Sequence, residues 1–242
     1  MQQSLVIIPT YNEIENIEHI IRAVFSQSLA VHILIVDDNS PDGTAQKVAA
    51  LQLVFPDKLF LEIRKNKSGL GTAYVHGFKW ALARPYTYIF EMDADFSHNP
   101  NDIIKLHQAC TQQQAHLAVG SRYVKGVNVV NWPMKRVLLS YIASKYVKLI
   151  TRMPIDDTTA GFVCFHRSVL EKINLEKIQF VGYAFQIEMK FKAYLKKFKI
   201  VEVPVIFTDR TRGKSKMSSG IISEAIFGVL SMKLKSWFYK EF

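Results

Sequence analysis

Residues 86–95 read Tyr86-Thr87-Tyr88-Ile89-Phe90-Glu91-Met92-Asp93-Ala94-Asp95, an apolar run that ends in two carboxylates. A short run rich in aromatic residues and without helical period predicts a buried strand over Tyr86–Met92. Carboxylates two apart in extended chain share a side, so Asp93 and Asp95 face together where the strand stops. Outward from this stretch the pattern repeats. Upstream, Leu5–Pro9 precedes a helical period over 13–27, His32–Val36 precedes 42–51, and Leu59–Ile63 precedes 71–83. Downstream come a helical period over 100–113 and a strand at Leu117–Gly120. Continuous apolar strands alternating with helices predict an α/β fold, a mostly parallel sheet flanked by helices, and ligands then bind at the carboxyl ends of its strands.

The alternation breaks at 121–134, where Gly, Asn and Pro predict a loop leading into a helix over 135–150. Gly161–His166 reads as a strand, 183–197 as a helix and Ile200–Phe207 as a strand, with Pro204 favouring an edge or a strand end. Residues 208–218 have no apolar period and read as a basic loop. The chain has 242 residues, 49% of them hydrophobic, which suits one domain with a full core. Cys110 and Cys164 show neither disulfide-framework nor zinc spacing and read as reduced, packed thiols of a cytoplasmic protein. Neither a signal peptide nor a run of roughly 20 apolar residues is evident.

Charge divides the chain. Residues 1–120 carry 9 Lys and Arg against 12 Asp and Glu, whereas 121–242 carry 22 against 9. An acidic half suited to a metal is joined to a basic half suited to phosphates or anionic headgroups. No nucleic-acid motif accompanies the basic half, so nucleic acid is not the expected partner.

Three strand ends carry polar clusters: Pro9-Thr10-Tyr11-Asn12-Glu13, Asp37-Asp38-Asn39-Ser40-Pro41-Asp42-Gly43-Thr44, and Asp93-Ala94-Asp95. Lying along one edge of a parallel sheet, they suggest a nucleotide site. Two carboxylates completed by diphosphate oxygens and water suit Mg²⁺ or Mn²⁺. The second cluster equally makes a turn with a helix N-cap, with Ser40 or Asp42 capping and Asp38 facing the ligand. Ser68-Gly69-Leu70-Gly71-Thr72-Ala73 matches neither a dinucleotide fingerprint nor a Walker loop, and reads as a tight turn opening a helix.

Together PTYNE, VDDNSPDGT, GLGTA, MDADFSHNP, GSRY, NWPMKR with Ser140 beyond it, and GKSK resemble the dolichyl-phosphate (polyprenyl-phosphate) mannose synthase family, inverting glycosyltransferases of family 2 with the GT-A fold. The resemblance spans roughly residues 5–217 and implies a single-domain catalytic unit over 1–218. Residues 219–242 then form a C-terminal amphipathic helix, belonging to the same domain or lying at a membrane interface. It implies that Pro9, Tyr11, Glu13, Val36 and Asp38 hold base and ribose, and that Asp93, Ala94 and Asp95 meet the sugar-diphosphate. Asp93, Asp95 and Ser97 are the implied metal ligands, for Mg²⁺ or Mn²⁺. Arg122, Arg136 and Ser140 match acceptor-phosphate positions, and with Asp95 form the implied catalytic set. Arg210 and Lys216 match a basic loop closing over the donor phosphates. Softer matches are Asp156, Asp157, Thr158 and Gly161 near the acceptor, and Gly182, Tyr183, Gln186 and Glu188 near the sugar.

The implied reaction moves mannose from GDP-mannose to a polyprenyl (dolichyl or undecaprenyl) phosphate, peripherally, on the cytoplasmic face of a membrane. A polyprenyl-phosphate glucosyltransferase using UDP-glucose, and a non-catalytic nucleotide-sugar-binding regulatory subunit, are the competing readings. Ile222, Ile226, Val229, Leu230, Leu234, Trp237 and Phe238 recur at helical spacing beside Lys233, Lys235 and Lys240, a pattern that suits either an interfacial helix or packing on the sheet. Either such helices dock the protein on the membrane or a membrane-anchoring partner subunit does.

Overall fold

The computed structural model describes residues 3–182, 184–209 and 220–238, with backbone alone for 220–226. The strands expected from the apolar runs form at β1 (Gln3–Thr10), β2 (Val31–Asp37), β3 (Leu59–Ile63), β4 (Tyr86–Glu91) and β5 (Leu117–Ser121). Between them lie α1 (Ile17–Phe25), α2 (Thr44–Gln52), α3 (Leu70–Leu82) and α4 (Asp102–Thr111). The first helix starts later than its apolar period because the preceding amides are engaged elsewhere. Asn12 N–H donates to Ser40 Oγ, Glu13 N–H to Thr44 Oγ1 and Ile14 N–H to Asp42 Oδ2. Those three bonds stitch the loop after β1 to the loop after β2.

The second half supplies β6 (Val129–Val130), α5 (Met134–Thr151), β7 (Val163–His166), α6 (Arg167–Lys172), α7 (Ala184–Leu195), β8 (Ile200–Pro204), β9 (Phe207–Thr208) and α8 (Gly220–Phe238). Seven strands form one sheet in the order β3-β2-β1-β4-β7-β5-β8, all parallel except β7, which runs antiparallel to both β4 and β5. Its reversal brings the turn before it to the carboxyl edge of its neighbours.

Two expectations are corrected here. Ile200–Phe207 is not one strand: the main ladder ends at Pro204, and Phe207–Thr208 pairs instead with Val129–Val130, inside the stretch read as loop. The cause is local, since Pro204 closes the ladder against Ser121 and the next residues are free to leave the sheet.

Apolar side chains of α1, α2 and α4 cover one face of the sheet, and those of α3, α6 and α7 the other. A third cluster joins Val147, Met153 and Ile155 to Ile187 and Phe191 of α7 and to Val229 and Met232 of α8. It fastens α5 and α8 to the body while leaving their outer faces uncovered. Cys110 and Cys164 are buried free thiols with sulfurs 3.6 Å apart.

Candidate functional site

Beyond β4 the chain turns sharply. Phe96 takes φ 61°, a left-handed conformation that is costly for a bulky residue. The turn lets Ser97 N–H donate to Asp95 Oδ1 at 3.1 Å and Asp93 N–H donate to Nδ1 of His98 at 3.1 Å. Asp95, Ser97 and His98 are all buried. Ser97 Oγ is buried with no hydrogen-bond partner among the described residues. An unspent hydroxyl beside two carboxylates fits a weak neutral ligand for a hard divalent ion. No described cluster of three or more His, Cys, Asp or Glu could enclose an ion by itself, so Asp93, Asp95 and Ser97 form an open set that diphosphate oxygens would complete. Ala94 is buried in the core.

The strand ends of β1 and β2 form a second group. Tyr11 carries Lys67 Nζ 4.4 Å from its ring centre. Asp38 does not stand alone at its strand end: Arg64, directly after β3, places Nε and Nη2 each 2.6 Å from Asp38 Oδ1 and donates from Nη1 to Thr72 Oγ1 at 2.7 Å. Arg64 was missed in the sequence, although its place at a fourth parallel strand end was the available signal. Pro9 ends the same β1 edge, and Glu13 accepts from Asn16 Nδ2. Val36 is sealed in the core, so only its backbone can face a ligand. Asp42, rather than Ser40, meets the helix start, accepting from Thr44 N–H and Oγ1.

On the other side of the DxD turn lies a cavity of about 420 Å³ that gathers Asp93, Ser97 and His98 with Arg122, Arg136 and Ser140. One wall is apolar, made by Leu139, Ile142, Ala143 and Val147 of α5 with Ile187 of α7. The Pro9, Tyr11, Glu13 and Asp38 group is not part of it.

Arg122 is buried and lies fork-to-fork on Asp157, with Nε 2.7 Å from Oδ2 and Nη2 2.6 Å from Oδ1, and it donates a further bond to Thr159. Burial alone would raise the Asp157 carboxyl, but the guanidinium and its hydrogen bonds hold it below the usual carboxylate range. Glu202 of β8 fixes this turn by accepting the N–H groups of Asp156 and Asp157. Asp156 points the other way, to Lys145 and Lys148 of α5. Arg136 lies 4.0 Å from the Trp132 ring centre and pairs with Asp209 at 2.8 Å. Trp132 and Phe207 meet edge to face, so the β6–β9 pair brings both rings to the cavity.

At the cavity lining Gln186 bridges two buried ionisable groups, donating to Glu91 Oε2 at 2.8 Å and accepting from Lys190 Nζ at 3.3 Å. Burial raises the Glu91 carboxyl and lowers the Lys190 ammonium. Glu188, matched to the sugar pocket, instead accepts the amides of Gln179 and Phe180 away from the cavity. Arg210, Lys216 and Tyr183 lie outside the described residues.

Comparison with known proteins agrees with this architecture. The family model described as "Glycosyl transferase family 2" matches residues 5–174. A polyprenol monophosphomannose synthase of Mycolicibacterium smegmatis is 47% identical over 94% of this chain and 86% of its own length. An undecaprenyl-phosphate mannosyltransferase of Micrococcus luteus is 40% identical over 93% of this chain and 91% of its own. Among solved structures, a glucosyl-3-phosphoglycerate synthase of Mycobacterium tuberculosis with Mn²⁺ and UDP-glucose superposes with a TM-score of 0.70 at 15% identity, over 96% of this chain and 79% of that one. A mannosyltransferase of Pyrobaculum calidifontis with GDP-Man and Mn²⁺ gives 0.62 at 16% identity, over 98% and 64%. A parallel sheet with DxD at a strand end, a family model covering most of the chain and two relatives aligned nearly end to end lead to one assignment: the chain belongs to glycosyl transferase family 2.

Proposed function

We propose that the protein transfers mannose from GDP-mannose to a polyprenyl phosphate, yielding polyprenyl phosphate mannose with inversion at the anomeric carbon. The observation that carries this reading is the cavity, which joins the acidic turn at Asp93 and Ser97 to an apolar wall on α5, with Arg136 and Ser140 between. A sugar-diphosphate suits the first end, a phosphate the middle and an isoprenoid the wall. The names of the two curated relatives support mannose and a polyprenyl acceptor.

A phosphate monoester has a second pKa of about 6, so the acceptor is largely a dianion at neutral pH and needs no general base. One of its oxygens attacks the anomeric carbon from the face opposite the leaving group. A new C–O bond forms while the bond to the donor diphosphate breaks, and GDP departs with the electron pair. Arg136 and Ser140 hold the acceptor phosphate, and Arg122, fixed by Asp157, adds positive potential. Asp93, Asp95 and Ser97 would hold Mg²⁺ or Mn²⁺, which when bound supplies charge for the leaving diphosphate. Arg210 and Lys216, outside the described residues, are assigned to the donor phosphates by the family resemblance alone.

No helix among the described residues is long and apolar enough to cross a membrane. The outer faces of α5 and α8 instead expose Met134, Leu138, Ile142 and Leu149, and Leu230, Leu234, Trp237 and Phe238, beside Lys135, Lys145, Lys148, Lys233 and Lys235. Apolar side chains edged with lysines suit peripheral docking on the cytoplasmic face, where the lipid acceptor is presented.

The test is GDP release from GDP-mannose with Mg²⁺ or Mn²⁺ and a short polyprenyl phosphate, with UDP-glucose and Asp95→Ala in parallel. Turnover that requires GDP-mannose, lipid phosphate and Asp95 establishes the reading. Turnover with UDP-glucose alone, or donor binding without transfer, overturns it.

A further inference from the structure

His98 is a polar member of the DxD turn to which neither the metal reading nor the acceptor reading gives a task. It is only 3% exposed. Phe162 stacks on one face of its ring at 4.9 Å and 12°, and Phe207 meets it edge-on at 5.5 Å. The ring is thereby held against rotation. Its Nδ1 accepts the Asp93 N–H, and a backbone amide can only donate, so Nδ1 carries no proton and the ring hydrogen is on Nε2. Nε2 makes no hydrogen bond to any described residue and is not among the sealed polar atoms without a partner, while His98 lines the cavity between Ser97 and Gly161. A side chain at Gly161 would come within 3.7 Å of the His98 ring at Cε1, the carbon between its two nitrogens.

Two other polar side chains of this cavity are already engaged. Both ends of the Gln186 amide are tied to Glu91 and Lys190, and Arg122 is tied to Asp157. The cations suit phosphate, whereas a neutral, rigid N–H suits an uncharged oxygen. The geometry points to His98 as a sugar-reading residue: its Nε2–H donates to a hydroxyl of the hexose held between the DxD turn and Gly161. This rests on the nucleotide-sugar reading above and adds a determinant of which sugar is accepted.

Two substitutions separate this role from mere support of the turn. His98→Asn keeps an acceptor for the Asp93 amide near the position of Nδ1 but loses the distal donor. His98→Gln keeps an N–H near the position of Nε2 but loses the local acceptor. Each is assayed with GDP-mannose and with its singly deoxygenated analogues. For the wild-type enzyme one deoxy analogue should lose about 10- to 100-fold in kcat/KM. His98→Asn should lose a similar factor with the full sugar and little more with that analogue, while His98→Gln retains much of the discrimination. An unchanged deoxy profile in His98→Asn, or recovery by Asn and not by Gln, overturns the proposal and leaves His98 a support for Asp93. Failure of the underlying reading shows separately, as a wild-type enzyme without mannosyl transfer. The same series is then read as donor binding by calorimetry, where an analogue effect missing from the wild type also overturns it.

Discussion

Asp157 and Asp95 are both buried carboxylates at the carboxyl edge of the sheet, and each accepts a different kind of hydrogen bond. Asp157 is committed to Arg122 through two short bonds, so Asp157→Asn leaves a buried guanidinium without its counter-charge and should cost about 3–5 kcal/mol, read as a lower urea midpoint. The pair also sets an acid limit. Because the folded-state carboxyl lies below its usual range, its stabilisation is complete above about pH 4 and is lost as pH falls further. Urea midpoints followed from pH 7 to pH 3 should therefore drop in the acid range, and less steeply in Asp157→Asn. Asp95 accepts the Ser97 amide from within its own turn. Asp95→Ala should lower kcat by about 100-fold or more with little change in the midpoint. Arg136 lies over Trp132 and pairs with Asp209 through Nη1, so Arg136→Lys should raise the acceptor KM by about tenfold while the donor KM stays put. Of these residues the sequence singled out Asp95 and Arg136 through motifs. It did not reveal the partner of Arg122, because the pairing closes a long loop and leaves no spacing to read. Arg64 and His98 were hidden for a different reason: each stands inside or beside a recognised motif, and only the fold says which atoms are already used.

Strands and helices were legible wherever burial imposed a period. From Gln3 to Ser121 every apolar run became a strand and every helical period a helix. The departures occur where pairing is made by few residues. Val129–Val130 and Phe207–Thr208 form a two-residue ladder, too short to show alternation, yet they bring Trp132 and Phe207 to the cavity. The C-terminal stripe was ambiguous between packing and membrane contact, and the structure buries some of its residues while leaving others exposed. Val229 is packed against α5 and α7, whereas Trp237 and Phe238 are 66% and 78% exposed. Ile222 and Ile226 fall where side chains are not described. Leu149→Glu and Trp237→Glu should each weaken sedimentation with anionic vesicles by about tenfold, while kcat with a short, water-dispersed acceptor is retained. If an anchoring subunit covers this face instead, the same substitutions leave vesicle binding unchanged.

Charge and topology together divide the molecule into an acidic half that carries the polar ends of β1, β2 and β4 and a basic half that carries α5 and α8. The excess of 22 Lys and Arg over 9 Asp and Glu in residues 121–242 should make vesicle association salt-dependent, weakening between low and physiological ionic strength in flotation assays. That division was readable from composition, whereas the single reversed strand was not, since Val163–His166 is apolar whichever way it runs. Its position between β4 and β5 governs how the chain can be completed during synthesis. The parallel block β3-β2-β1-β4 can form once Glu91 has emerged, but β5 has no neighbour to join until β7, which begins at Val163, has been made. Until then the nascent chain presents β4 as an unpaired edge, the condition that invites association with other chains. The protein's most vulnerable interval is thus written into its strand order: the first parallel block must wait, incomplete, for the one strand that runs against it.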